Sequence, residues 1–177
     1  IKGSPSRGDW PGGMFSEPTR MIRPAQPDDT PIICGLIREL AEYEKLTHQV
    51  VLEEQRVHEH LFGSQPCVEA ILAEEHGQAV GFALFFSNYS TFLGRPGIYL
   101  EDLYVKPEHR GAGHGRARRG EVARVAVERD CGRLEWAVLN WNQPSIEFYN
   151  RLGGEPLEGW TTYRVTGEAL ANLGRSC

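Results

Sequence analysis

The sequence is short of several things, and each shortage closes a class of proteins. No stretch approaches the roughly 18 consecutive apolar residues of a membrane-spanning helix, so no membrane partner is expected. An excess of positive charge is missing too: 19 Lys and Arg against 24 Asp and Glu leave a formal net charge of −5. Nucleic-acid binding calls for a net basic face, so no nucleic-acid partner is expected either. The four cysteines, Cys34, Cys67, Cys131 and Cys177, are scattered and form no CxxC pair. Neither a metal site nor a disulfide framework is indicated, and a reducing cytoplasm is the expected compartment. The chain starts at Ile1, and residues 1–20 are rich in Gly, Pro, Ser and Arg without periodicity, as in a flexible leader or an appended tail. Met14 and Met21 both qualify as native starts. The negative balance serves solubility, and it also suits a cationic small molecule if a site exists to hold one.

What is present becomes regular from Met21, and residues 21–177 read as a single domain. MIRPA reads as a first strand ended by Pro24. Ile32, Ile33, Leu36, Ile37, Leu40 and Ala41 form a helical stripe between Pro27 and Glu44, with Asp28 and Asp29 at its start. A second helix is predicted from Leu52 to Leu61. Strands follow at Val68–Glu75 and Gln78–Ser90, joined by the turn pair His76-Gly77, and a third runs from Ile98 to Val105 before Pro107. A helix reaching about Asp130, a strand Arg133–Asn140, a helix Pro144–Gly153, a strand Trp160–Val165 and a short helix after Gly167 complete the pattern. The fold class is α/β (α+β) with a mostly antiparallel sheet.

Two segments carry chemistry. In YLEDLYVKPEHRGAGHGRARRG a strand bearing Glu101 and Asp102 runs into Arg110-Gly111-Ala112-Gly113-His114-Gly115 and then a helix. A helix start carries unpaired N–H groups and partial positive charge, and glycines let an anion approach the backbone. This reads as a pyrophosphate cradle with Arg110 and Arg116 adding charge, or as a glycine-rich turn; it is neither a Walker loop nor a GxGxxG fingerprint. In LNWNQPSIEFYNRLG, Asn142 and Ser145 stand at a helix entrance with Tyr149 one turn inside, on a face next to that of Phe148 and Leu152.

Taken together, VKPEHRGAGHG and LNWNQPSIEFYNRLGG resemble the Gcn5-related N-acetyltransferase (GNAT) superfamily, from Met21 to about Leu173. EYEKL, YLEDLYV and EGW resemble, more narrowly, its diamine and polyamine branch, which includes thialysine acetyltransferases. The resemblance implies a twisted sheet of six to seven strands flanked by about four helices, acetyl-CoA as cofactor, and a homodimer. It implies that Arg110, Gly111, Ala112, Gly113, His114, Gly115 and Arg116 hold the diphosphate, with Asn142 and Ser145 assisting. The backbone of Leu103, Tyr104 and Val105 would pair with the pantetheine arm and donate an N–H to the reacting carbonyl. Tyr149 would protonate the leaving thiolate, and Tyr43, Glu44, Glu101 and Glu158 would line the amine site. Glu101 is the expected group for drawing a proton from the amine, and the absence of cysteine from either motif suits direct attack. The alternatives are a protein or peptide acetyltransferase and a silent coenzyme A sensor. The departures from the family pattern are His114, Arg118, Arg119 and Gly120, the last costing roughly 1 kcal/mol against alanine within a helix.

Overall fold

Two apolar residue sets, alternating along the central strands, decide the architecture. Ala70 and Leu72, then Phe82 and Leu84, point to one face of the sheet and pack with Ile33, Leu36, Leu61 and Tyr104. The intervening Ile71, Ala83 and Phe85 join Ile98 and Leu100 on the opposite face, against Val122 and Ala126. A sheet covered on both faces needs apolar side chains at successive positions, which accounts for the nearly unbroken apolar run AVGFALFF.

The strands are β1 (Arg20–Pro24), β2 (Glu69–Glu75), β3 (Gln78–Ser90), β4 (Arg95–Val105) and β5 (Leu134–Trp136), hydrogen-bonded in that order. The first four pair antiparallel in succession, and β5 joins β4 in parallel. Helices α1 (Thr30–Tyr43) and α2 (Glu54–Phe62) supply the first face and α3 (His114–Glu128) the second; α4 (Gln143–Asn150) and α5 (Gly167–Arg175) follow. The computed structural model describes residues 20–110 and 114–175, with backbone only at positions 20 and 114–119. The chain separates into two units, Ile1–Ala137 and Val138–Cys177.

Within the first unit, the expected hairpin forms. His76 (φ 52°) and Gly77 (φ 76°) both adopt left-handed backbone, the geometry of a two-residue turn whose twist matches its flanking strands. Helix α1 is anchored at its start by Asp29, which accepts from both terminal nitrogens of Arg23 at 2.6 and 2.9 Å and from the Gln26 N–H at 2.7 Å. Arg23 beside it holds the Asp29 carboxyl below its usual range. The helix ends where Lys45 turns left-handed (φ 61°) and the Leu46 N–H returns to the Ala41 carbonyl at 2.8 Å. That closure leaves Tyr43 and Glu44 at the last turn.

The elements after α3 correct part of the sequence reading. Among the described residues the sheet has five strands, fewer than the six to seven expected, and there are five α-helices where about four were expected. The strand predicted at Arg133–Asn140 is confined to Leu134–Trp136, and Trp160–Val165 forms no strand. Every residue from Trp160 to Val165 is exposed, so WTTYRV lacks the ladder partner and buried face that a strand needs.

Candidate active site

The site is organised by an irregularity in β4. Leu84 of β3 lies opposite Asp102, whereas the next residue, Phe85, lies opposite Leu100, so Glu101 is an extra residue in the ladder. This is a β-bulge, and it reverses the strand's alternation. Before it, Ile98 and Leu100 face α3; beyond it, Leu103 faces that side and Tyr104 faces α1 and α2. Tyr99 and Glu101, alternating with Leu100, therefore point to the α1 side, and so do Asp102 and Tyr104. Two consecutive carboxylates thus share one side of the sheet, where regular alternation would have separated them.

The consequence is electrostatic. Glu101 is exposed, while Asp102 is half-buried. Burial, then the nearby charges of Glu101 and Glu44, push the Asp102 carboxyl up from its ordinary 3.8 to about 6. Burial also raises the half-buried Glu44 at the end of α1. The three acids form a cluster in which the charges of Asp102 and Glu44 are costly until a cation arrives. Asp102 was not singled out from sequence as a site residue, since nothing in the residue pattern marks the bulge that turns it toward Glu44.

The bulge also sets which backbone groups are free. The Lys106 N–H donates to the Val80 carbonyl at 3.0 Å, so Lys106, Tyr104 and Asp102 direct their main-chain groups toward β3. Leu103 and Val105 direct theirs to the other side. There β5 pairs only with Ile98, Tyr99 and Leu100, so among the described residues Leu103 and Val105 have no strand beside them. The Tyr104 side chain, by contrast, is buried in the core with its phenol raised by that burial and by the charge of Glu39.

Arg110 follows a short 3₁₀ turn, Pro107–His109. Its Nε donates to the Val105 carbonyl at 2.9 Å, and its guanidinium lies 4.3 Å from the Tyr43 ring centroid and 5.7 Å from that of Tyr104. A residue expected for the cofactor and one expected for the amine are therefore in contact. Gly111, Ala112 and Gly113 lie outside the described residues, as do the side chains of His114, Arg116, Arg118 and Arg119; the backbone of α3 begins at His114 and includes Gly115.

In the second unit, Asn142 is buried and caps α4: its Oδ1 accepts from the Ser145 N–H at 3.4 Å and its carbonyl from the Ser145 and Ile146 N–H groups at 3.0 Å. Proline inside the first turn suits that start. Tyr149 is half-buried, its ring 5.6 Å from that of Phe148. Glu158 is exposed in the stretch between α4 and α5.

The bulged strand thus carries three neighbouring acids on its α1 side, main-chain groups of Leu103 with no strand beside them on its other edge, and Arg110 just beyond its end. The sequence model of the Acetyltransferase (GNAT) family matches residues 36–154, and the chain belongs to that family. Thialysine N-epsilon-acetyltransferase of Bos taurus is 43% identical over 164 residues, covering 86% of this chain and 96% of the relative. L-ornithine N5-acetyltransferase of Arabidopsis thaliana is 31% identical over 202 residues, covering 89% and 87%. Among solved structures, an integron cassette protein from V. cholerae superposes with a TM-score of 0.75 at 25% identity, over 89% of this chain and 98% of that one. The fold is the mixed α/β acetyltransferase fold, the protein is an acetyltransferase, and its cofactor is acetyl-CoA.

Proposed function

We propose that this enzyme moves the acetyl group of acetyl-CoA to a primary amine of a small diamine, polyamine or thialysine-like acceptor by direct attack. The observation that carries the reading is the clustering of Glu44, Glu101 and Asp102 on the α1 side of β4, beside the free edge of Leu103 and Val105. The thialysine and ornithine acetyltransferases among its relatives act on small amines, which supports the same choice.

Acetyl-CoA, when bound, supplies the activated thioester. The chain's residues then have four tasks. Leu103 offers an outward N–H and C=O and Val105 an outward N–H along which an extended amide-bearing arm can lie, and the Leu103 N–H can polarise the reacting carbonyl. Residues Arg110–Arg116 lead into α3 and hold the diphosphate, with Asn142 and Ser145 contributing from the start of α4. An alkylammonium of pKa about 10.4 must lose a proton before attack, and Glu101, exposed at the bulge, takes it directly or through water. Glu44, Asp102 and Tyr43 bind the cation, joined by Glu158. Tyr149 protonates the departing thiolate; phenols and thiols ordinarily titrate at about 10 and about 8.5, close enough for that transfer.

Residues 21–177 act as one acetyltransferase domain; the family match running across the Ala137–Val138 boundary supports this. The enzyme works as a homodimer in the cytoplasm. Exposed Leu157, Trp160 and Tyr163 suit contact with a second copy, and no helix among the described residues is long and apolar enough to cross a membrane. Sedimentation at micromolar concentration tests the dimer. The activity is tested by thiol release from acetyl-CoA across diamines, polyamines, thialysine, lysine and basic peptides. Saturation with a short diamine-like acceptor is the expected result; saturation only with peptides, or silence across the panel, would overturn the acceptor assignment.

A further inference from the structure

The segment leaving β4 folds into a turn bonded largely to itself. The His109 N–H donates to the Lys106 carbonyl at 3.0 Å and the Arg110 N–H to the Pro107 carbonyl at 3.1 Å. Such bonds shape the turn without aiming it. Its orientation owes much to side-chain anchors: Lys106 Nζ to Glu39 on α1 at 3.3 Å, Arg110 with its Nε on the Val105 carbonyl at 2.9 Å and its guanidinium against Tyr43, and His109 Nδ1 to Glu75 Oε2 at 2.7 Å. The third is different in kind. Glu75 ends β2, and β3 lies between β2 and β4, so the His109 contact spans the end of the sheet to a strand that β4 does not touch. With the Glu75 carboxylate as acceptor, Nδ1 carries the hydrogen, which orients the ring.

We propose that His109 is a positioning residue for the cofactor: through Glu75 it holds the 107–110 turn at the angle from which Arg110 presents its donors to the diphosphate. The inference rests on the assignment of that segment to the cofactor. The pair's side chains are 30% and 12% exposed, and a part-exposed pair of this sort contributes little to global stability. Its effect is local. Losing it releases the turn on the side away from α1, while the acid cluster and Tyr43 stay anchored by their own elements.

The test compares His109→Phe, Glu75→Met and His109→Asn, the last of which keeps a donor near the Nδ1 position. The phenylalanine and methionine variants should each raise KM for acetyl-CoA about five- to tenfold, the loss expected for one charge-assisted hydrogen bond. Amine KM and the melting temperature should stay near wild type, and the double variant should be no worse than either single one. In ligand-free protein the amides of residues 107–110 should exchange faster in both variants. His109→Asn should restore both readouts. Unchanged exchange and unchanged KM in His109→Phe would overturn the proposal, as would a defect that the asparagine variant does not rescue. If the wild-type protein failed to turn over acetyl-CoA, the cofactor assignment would fall, while the exchange comparison would still decide whether the latch exists.

Discussion

The two halves of β4 are built for different ends. From Gly97 to Leu100 the strand is enclosed by β3 and β5, and Ile98 and Leu100 are 0% and 2% exposed against α3. From Glu101 to Val105 the ladder is broken on one side and open on the other, with two acids placed on one face. One half secures the sheet; the other gives up pairing and tolerates costly charge. Polar strain that a core would not accept is thus confined to the few residues where a ligand compensates for it.

Adjacent substitutions should separate the halves. Glu101→Gln is expected to lower kcat by about 10²- to 10⁴-fold, the usual contribution of a positioned base, with an unchanged melting temperature. Its neighbour Leu100→Ala should do the reverse, costing about 2–5 kcal/mol in denaturant unfolding while sparing turnover per folded molecule. Gly97→Ala comes next: an added Cβ would meet the Asn88 side-chain oxygen and the Arg133 Cγ, a clash worth roughly 1–3 kcal/mol of stability.

Asp102→Asn should have the smallest effect, and one that depends on pH. The folded pKa of about 6 lies above the ordinary 3.8, so the neutral acid is the form that folding favours. Stability from Asp102 is therefore full below pH 3.8 and lost as pH rises through 6. The asparagine variant, which cannot charge, should gain on wild type by roughly 1–2 kcal/mol across that window, partial exposure reducing the full effect. Unfolding curves at pH 4 and pH 7 check it; a constant gap would mean that Asp102 titrates normally.

These contrasts also show what could be read from residues alone. The hairpin was legible because His76-Gly77 interrupts two strand patterns with turn chemistry, and α1 because its apolar stripe follows a helical period. The acetyltransferase assignment was legible because two motifs recur in order. The bulge was not, since nothing within YLEDLYV marks an inserted residue and only pairing with β3 shows Glu101 to be extra. Asp102 was passed over for the same reason. WTTYRV was read as a strand and its β-branched and aromatic residues suit one, yet such composition states a preference that only a partner strand can satisfy. The His109–Glu75 and Arg110–Tyr43 contacts join distant segments and leave no local trace.

The central claim is that the free edge of Leu103 and Val105 receives the cofactor's arm. Amide hydrogen exchange resolved by residue, with and without saturating coenzyme A, tests it most directly. The account predicts new protection at the outward amides of Leu103 and Val105, with little change at Asp102 and Tyr104, which are already bonded to β3. Equal protection at all four, or none at Leu103 and Val105 while coenzyme A is bound, would contradict it.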